Sequence, residues 1–317
     1  MTSAINVGQL RSEVSLRTHG VYAALGVMIV FNLLFTPNFA TLSNLRLQLV
    51  QVTPVVIVAL GMAVVVATSG IDLSVGAVMA LSAATLAAMI DRGAWIAIGA
   101  ALGAGLVAGL FNGLLVGVVR VQPIVATLGL FIAGRGLALV IADGRLTEIF
   151  DGTIRSIGTK QIVGGLQAGV LVAMCLTVLV GLLMRSTVFG KRVVAIGGSP
   201  DAAHTAGLPV RRSLIVVYVL SGGLAAVAGI LASARSGASD PSFVGLLIEL
   251  SAITAVVVGG TSLAGGEIRV AGTVAGALLM QLIFATLIRH DLSDADARMI
   301  QSVIIVAAVY IQRDRLR

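Results

Sequence analysis

Four polar residues stand inside or beside stretches that are otherwise apolar: Asp72, Asn112, Arg135 and Glu249. A charge placed in hydrocarbon costs at least about 2.5 kcal/mol, so such a group normally faces protein or water. Asp72 is the sharpest case, being the one acidic residue between Glu13 and Asp91, set in "ATSGIDLSVG" (67–76) between Gly70 and Gly76. Two roles fit it. Gly70 can end one helix while Asp72 caps the next, which needs no further function. Alternatively the carboxylate faces a polar path or pairs with Arg135. Arg135 lies in "AGRGL", where Gly134 and Gly136 leave room for a neighbouring helix or for water, and Asp72 and Glu249 are the carboxylates available to it. Asn112, in "FNG", suits an interhelical hydrogen bond or a path equally. Arg235 and Glu249 fall at the ends of apolar runs and read as interfacial. The candidate polar path comprises Gly70, Asp72, Ser74, Asn112, Arg135, Gly259, Gly260 and Thr261.

Bond-making chemistry has no comparable set of groups. The histidines are His19, His204 and His290, dispersed along the chain and read as solvated interfacial residues. Cys175 is alone in an apolar run, so neither an intrachain disulfide nor a thiolate metal cluster can form. "GGTSLAGG" (259–266) is glycine-rich but lacks the Lys-Ser/Thr of a phosphate-cradling loop. No enzyme activity, catalytic residue, metal or bound cofactor is expected of this chain.

The elements that must position these residues follow from composition. Of 317 residues, 58% are hydrophobic and 11% charged, and the mean hydropathy is +1.06, well outside the usual soluble range. The class implied is an all-α polytopic membrane protein. A crossing helix needs about 20 apolar residues, and ten candidate runs result: 20–36, 45–68, 75–90, 94–119, 122–142, 166–184, 213–234, 249–264, 270–289 and 299–312. With both termini cytoplasmic, the inner segments hold twelve Lys/Arg (Arg11, Arg17, Arg120, Arg185, Lys191, Arg192, Arg211, Arg212, Arg269, Arg313, Arg315, Arg317) and the outer ones seven. The outer segments also carry most of the acids, in agreement with the positive-inside rule. The organisation expected is a tail at 1–19, one transmembrane domain over 20–312 and a tail at 313–317, in the cell (inner) membrane. Trp95 is placed as an interfacial anchor. Small-residue spacing at Gly99, Gly103, Gly222 and Gly229 lets helix backbones approach closely.

Two connections exceed mere turns. The outer one, 143–165, is polar and Gly-rich and can receive an external partner. The inner one, 185–212, encodes a short helix over 200–206. Ser199 can accept a hydrogen bond from a free backbone N–H, Pro200 fits the first helical position and Asp201 complements the dipole. Gly207 suits the left-handed stop and Pro209 prevents continuation. Two turns are unstable alone, so the helix packs on this chain's own span ends or docks onto a cytoplasmic subunit.

At these motifs the chain resembles the permease subunits of ATP-binding-cassette importers, specifically the ribose-type sugar permeases. "GIDLSVG" (70–76), "NGLLVGVVRVQPIVATLGLFIAGRGLAL" (112–139), "TVFGKRVVAIGGSPDAAHTAGLPV" (187–210), "YVLSGGLAAVAGILASAR" (218–235) and "ELSAITAVVVGGTSLAGG" (249–266) carry the resemblance. "DAAHTAG" (201–207) is similar to the importers' acid-Ala-Ala-x-x-x-Gly motif, with Asp201 in place of the commoner Glu. The resemblance implies a coupling role for Ser199, Pro200, Asp201, Ala202, Ala203 and Gly207 against a cytoplasmic ATPase. It also implies a second permease subunit, an extracytoplasmic sugar-binding protein, and ATP with Mg on the ATPase alone. The partners are then these proteins and membrane lipid, with no nucleic acid. Aromatic residues make up only 4% of the chain, so it offers no stacking platform for a sugar ring, and tight selectivity falls to the delivering protein.

Other classes remain open on sequence alone: a permease for nucleosides or branched-chain amino acids, an ion-coupled secondary transporter, or a scaffold without transport. A weak internal repeat pairs "AVVVATSGIDLSVGAV" from Ala63 with "AVVVGGTSLAGGEIRV" from Ala255, in parallel sense. Both strings adjoin short apolar segments, 75–90 and 249–264. Short, Gly-interrupted segments in both halves point to a substrate region at a break in the helices.

Overall fold

The computed structural model describes residues 7–312, and the chain is helical almost throughout. The expected tail 313–317 and residues 1–6 lie outside the described residues, as do the side chains of Arg11, Arg17 and His19. In chain order the helices are α1 (Val7–Phe35), α2 (Leu42–Val66), α3 (Val75–Ala88), α4 (Ala94–Leu114), α5 (Pro123–Ile141), α6 (Gly152–Thr159), α7 (Ala168–Ser186), α8 (Val188–Gly198), α9 (Pro200–Thr205), α10 (Val210–Ser236), α11 (Ile248–Val258), α12 (Val270–Arg289) and α13 (Asp294–Gln312). Six of them, α2, α4 with its extension to Val119, α5, α7, α10 and α12, are long and apolar enough to cross a membrane. Gly20–Phe35, Val75–Ala88 and Ile248–Val258 are shorter apolar helices. The run expected over 249–264 stops at Val258, because the glycines that follow open into a turn with Gly260 at φ +86°.

α2 and α10 form the centre. Residues Ile57 to Val66 of α2 are all buried, as a helix apolar on every side requires. α10 packs on α4, α2 and α3. α5 and α7 lie at the periphery with most of their apolar side chains outward, Cys175 among them. α4 meets α10 along Gly105, Gly109, Gly113 and Gly117, where an added Cβ would run into the backbone of α10 at or near Gly222, Tyr218, Ile215 and Arg211. This corrects the expectation for Gly99 and Gly103, which face open space, whereas Gly222 and Gly229 do press on neighbouring backbones. Gly99 and Gly103 are also four apart, but they lie on a different face of α4 from Gly105, Gly109, Gly113 and Gly117, and only the latter face is turned to α10.

The connection 143–165 is pinned rather than loose. β1 (Thr147–Glu148) pairs antiparallel with β2 (Ala238–Ser239), joining it to the segment after α10. Asp151 caps α6 by accepting from the Thr153 and Ile154 backbone N–H groups at 2.8 and 2.9 Å, and Ile154 is fully buried. Trp95 is exposed at the start of α4, as an interfacial anchor requires.

Candidate functional site

Asp72 sits in the turn between α2 and α3, only 2% exposed. Ser69 at φ +63°, not Gly70, takes the left-handed conformation that turns the chain after α2. Gly70 is needed for a different reason, since a Cβ there would lie 2.8 Å from the Tyr218 hydroxyl. One Asp72 carboxylate oxygen accepts from the Ser74 backbone N–H at 3.0 Å and from Ser74 Oγ at 2.6 Å. This corrects the capping role expected of Asp72: the residue that caps α3 is Ser74, whose side chain makes no capping bond, and the carboxylate holds the turn before it instead. The other oxygen accepts from Ser221 Oγ of α10 at 2.8 Å. Asn112 Nδ2 of α4 donates to Ser74 Oγ at 2.9 Å. Ser74 thereby donates to Asp72 while accepting from Asn112, and the turn, α4 and α10 share one buried network. Asn112 Oδ1 and the Tyr218 hydroxyl lie in buried surroundings without a partner.

Arg135 is not part of this network. Its Nη1 donates to the carbonyls of Pro241 and Val244 at 2.8 and 2.7 Å, in the segment that enters α11. This corrects the pairing expected with Asp72, which three hydroxyl and backbone donors already hold; with Glu249 the guanidinium forms no hydrogen bond, but the two charges lie close enough to attract each other. Glu249, expected at an interface, is instead buried at 5% exposure, with Oε2 unpartnered. The entry to α11 folds inward through left-handed Gly245 and Leu247, carrying Glu249 against Gly76. Arg235 is exposed at the end of α10.

The repeat-related turn 259–269 lies beside this site. Thr261, fully buried, accepts the Arg269 backbone N–H at 3.0 Å, and Glu267 and Arg269 form an ion pair at 2.6 Å. Gly259 lines a cavity of about 900 Å³ together with residues of α7 and α12, among them Arg185 and Arg269. The two turns touch: the Gly266 N–H donates to the Ala67 carbonyl at 3.1 Å, and Ser69 Oγ bonds the carbonyls of Ala264 at 2.7 Å and Gly197 at 2.8 Å. Gly260, which follows Gly259, supplies the positive φ this turn needs.

Gly197 belongs to α8, so the same hydroxyl ties the turns to the segment 185–212. Thr187 caps α8 by accepting the Gly190 N–H at 3.3 Å. α9 spans Pro200–Thr205, one residue shorter than expected. Ser199 Oγ accepts from the Ala202 N–H at 3.3 Å, and Gly207 at φ +75° ends the helix. Ala203 is buried against the chain, while Asp201, Ala202 and His204 are exposed. A continuous path of contacts therefore runs from the exposed face of α9 through α8 and Ser69 to the Asp72 network. Sequence reasoning missed Ser69, Ser221 and Tyr218. Their hydroxyls sit in apolar or small-residue runs where any serine reads as packing, and no local pattern singles them out.

Long apolar helices around a polar-knotted core, with a short helix held outside the bundle, define a multi-pass membrane permease, and the protein is a multi-pass protein of the inner membrane. Residues 44–309 match the family described as branched-chain amino acid transport system / permease component, and the chain belongs to that family. It is 37% identical over 267 residues to a galactofuranose transporter permease protein of Escherichia coli K12, covering 84% of this chain and 78% of the relative. An L-arabinose transport system permease protein of the same organism is 33% identical over 93% of this chain and 90% of its own length. A ribose import permease protein of Bacillus subtilis is 36% identical over 93% and 92%. No solved structure matches the chain.

Proposed function

We propose that this chain is the membrane-spanning permease subunit of an ATP-driven, binding-protein-dependent importer of a simple sugar. The observation that carries this reading is the set of relatives named for galactofuranose, L-arabinose and ribose, each at least 33% identical over most of the chain. In this reading the chain crosses the membrane ten times with both ends in the cytoplasm. It pairs with a second permease subunit and binds no cofactor itself, ATP and Mg residing on a separate ATPase.

The ATPase docks on α9 through Asp201, Ala202 and the exposed neighbours of the Gly207 stop, the buried Ala203 fixing the helix to the chain. ATP-driven closure of the ATPase pair displaces α9. The packed connection through α8 and Ser69 passes that displacement to the turns 67–74 and 259–269, around which the helices rock between inward- and outward-facing arrangements. In this scheme Gly70, Asp72, Ser74 and Asn112 form the fixed side of the joint beside the path, Gly259, Gly260 and Thr261 its compliant side, and Arg135 holds the segment that enters α11.

Co-purification with the ATPase and binding-protein-stimulated ATP hydrolysis in proteoliposomes test the scheme. The double variant Asp201→Arg, Gly207→Pro is expected to abolish both while the permease still inserts. Retention of both by that variant removes α9 from the coupling role. Accumulation of leucine rather than a monosaccharide by wild-type vesicles places the chain among the amino-acid members of its family.

A further inference from the structure

A second polar cluster lies away from the Asp72 network. An open groove of about 270 Å³ runs between α2, α11, α12 and α13, with Ser251, Gln281, Gln301 and Ser302 on its wall. Gln281 Nε2 donates to Gln48 Oε1 at 3.0 Å and to Gln51 Oε1 at 2.8 Å, gathering three amides from α2 and α12. Gln301 Nε2 donates to the Met280 carbonyl at 3.3 Å. An amide offers two donors and an acceptor with two lone pairs. Among the described residues, Gln281 Oε1, the NH₂ groups of Gln48 and Gln51, Gln301 Oε1 and the Ser251 hydroxyl make no hydrogen bond, and Gln51 and Ser251 are exposed.

Their depth makes this unusual. Gln281 stands two helical turns, about 12 Å, inside the end of α12 at Arg289, which bonds Asn44 at the start of α2. Lipid cannot satisfy amides at that depth, so a polar occupant must. Among the described residues the wall carries no carboxylate, and its cation, Arg298, lies over the Phe284 ring at 5.6 Å. Neutral donors and acceptors side by side match a neutral polyol, whose hydroxyls both donate and accept, better than any ion. The volume is near the lower end for small-molecule sites, about 300 Å³, and suits a single ring.

We propose that this groove is the site at which the chain contacts its sugar during passage, with Gln281, held by Gln48 and Gln51, and Ser251 as the binding groups. The inference rests on the monosaccharide-permease reading and adds a location to it. Cells, or proteoliposomes with the binding protein outside and the ATPase and ATP inside, are assayed for uptake of labelled D-galactofuranose, D-ribose, L-arabinose and D-fructose, alongside binding-protein-stimulated ATP hydrolysis. Gln281→Leu is expected to lower uptake of the imported sugar at least tenfold and Gln281→Asn less, with membrane insertion and ATPase association within twofold of wild type. Ser251→Trp, at an exposed position that does not bear on folding, is expected to block uptake as strongly by filling the groove. Undiminished uptake in Ser251→Trp overturns the site. So does a loss of permease pairing in Gln281→Leu with uptake per assembled complex unchanged, which makes the amides an interface between subunits. Wild-type membranes that accumulate none of the four sugars overturn the monosaccharide reading itself, and the proposed occupant with it.

Discussion

The turns 67–74 and 259–269 follow similar apolar strings, end neighbouring helices at the same end of the bundle and touch, yet they are held in different ways. In the first, a buried carboxylate gathers Ser74 and Ser221 across helices, and Asn112 extends the network to α4. In the second, positive-φ glycines at 260, 265 and 266 shape the chain, and its charged pair, Glu267 with Arg269, is partly exposed beside a large cavity. A side-chain knot between helices resists relative motion of those helices. Glycine-shaped backbone with a solvated ion pair lets its neighbours shift. The first turn is thus built as an anchor and the second as a compliant partner, with Ser69 coupling both to α8.

Five substitutions break or sharpen this contrast, judged by thermal unfolding of the purified protein in detergent. Gly76→Val drives a side chain into the Gly245 carbonyl and Glu249, and is expected to cost about 3 kcal/mol. Asp72→Leu leaves three donors without their acceptor in a buried site, a loss of about 2 kcal/mol given the modest strength of hydrogen bonds inside membranes. Asp72→Asn should recover about half of that loss, because the amide oxygen still accepts from Ser74. Ser69→Ala removes the link between the turns and α8 and is expected to cost about 1 kcal/mol, with a larger fractional fall in the coupling of ATP hydrolysis to uptake than in stability. Glu267→Gln breaks a partly exposed pair and should move stability by only about 0.5 kcal/mol. A loss for Glu267→Gln as large as that for Asp72→Leu would erase the distinction between the two turns.

The amino-acid order alone determined the class and most of the helices. Runs of Val, Leu, Ile and Ala long enough to cross a bilayer are local facts, and α12 begins and ends where its run does. So are the signals of α9, whose Ser199 cap and Gly207 stop act within a few residues of one another. The contact of Asp72 with Ser74 is equally local, spanning two positions, but it closes the turn rather than capping α3 as its spacing suggested.

Partners that stand far apart in sequence were decided by packing. Ser221 on Asp72, the carbonyls of Pro241 and Val244 on Arg135, the burial of Glu249 and the bridge from Ser69 to Gly197 each join positions more than a hundred residues apart or depend on how α11 folds inward. Gly99 and Gly103 look no different from Gly109 and Gly113 in the sequence. Only the crossing of α4 with α10 selects which glycines meet a backbone. In a chain this uniformly apolar, local patterning marks where helices are, because hydrogen bonding within each helix satisfies its own backbone. Which faces meet is settled by close approach and by where the few buried polar groups find one another, and those are properties of the assembled bundle.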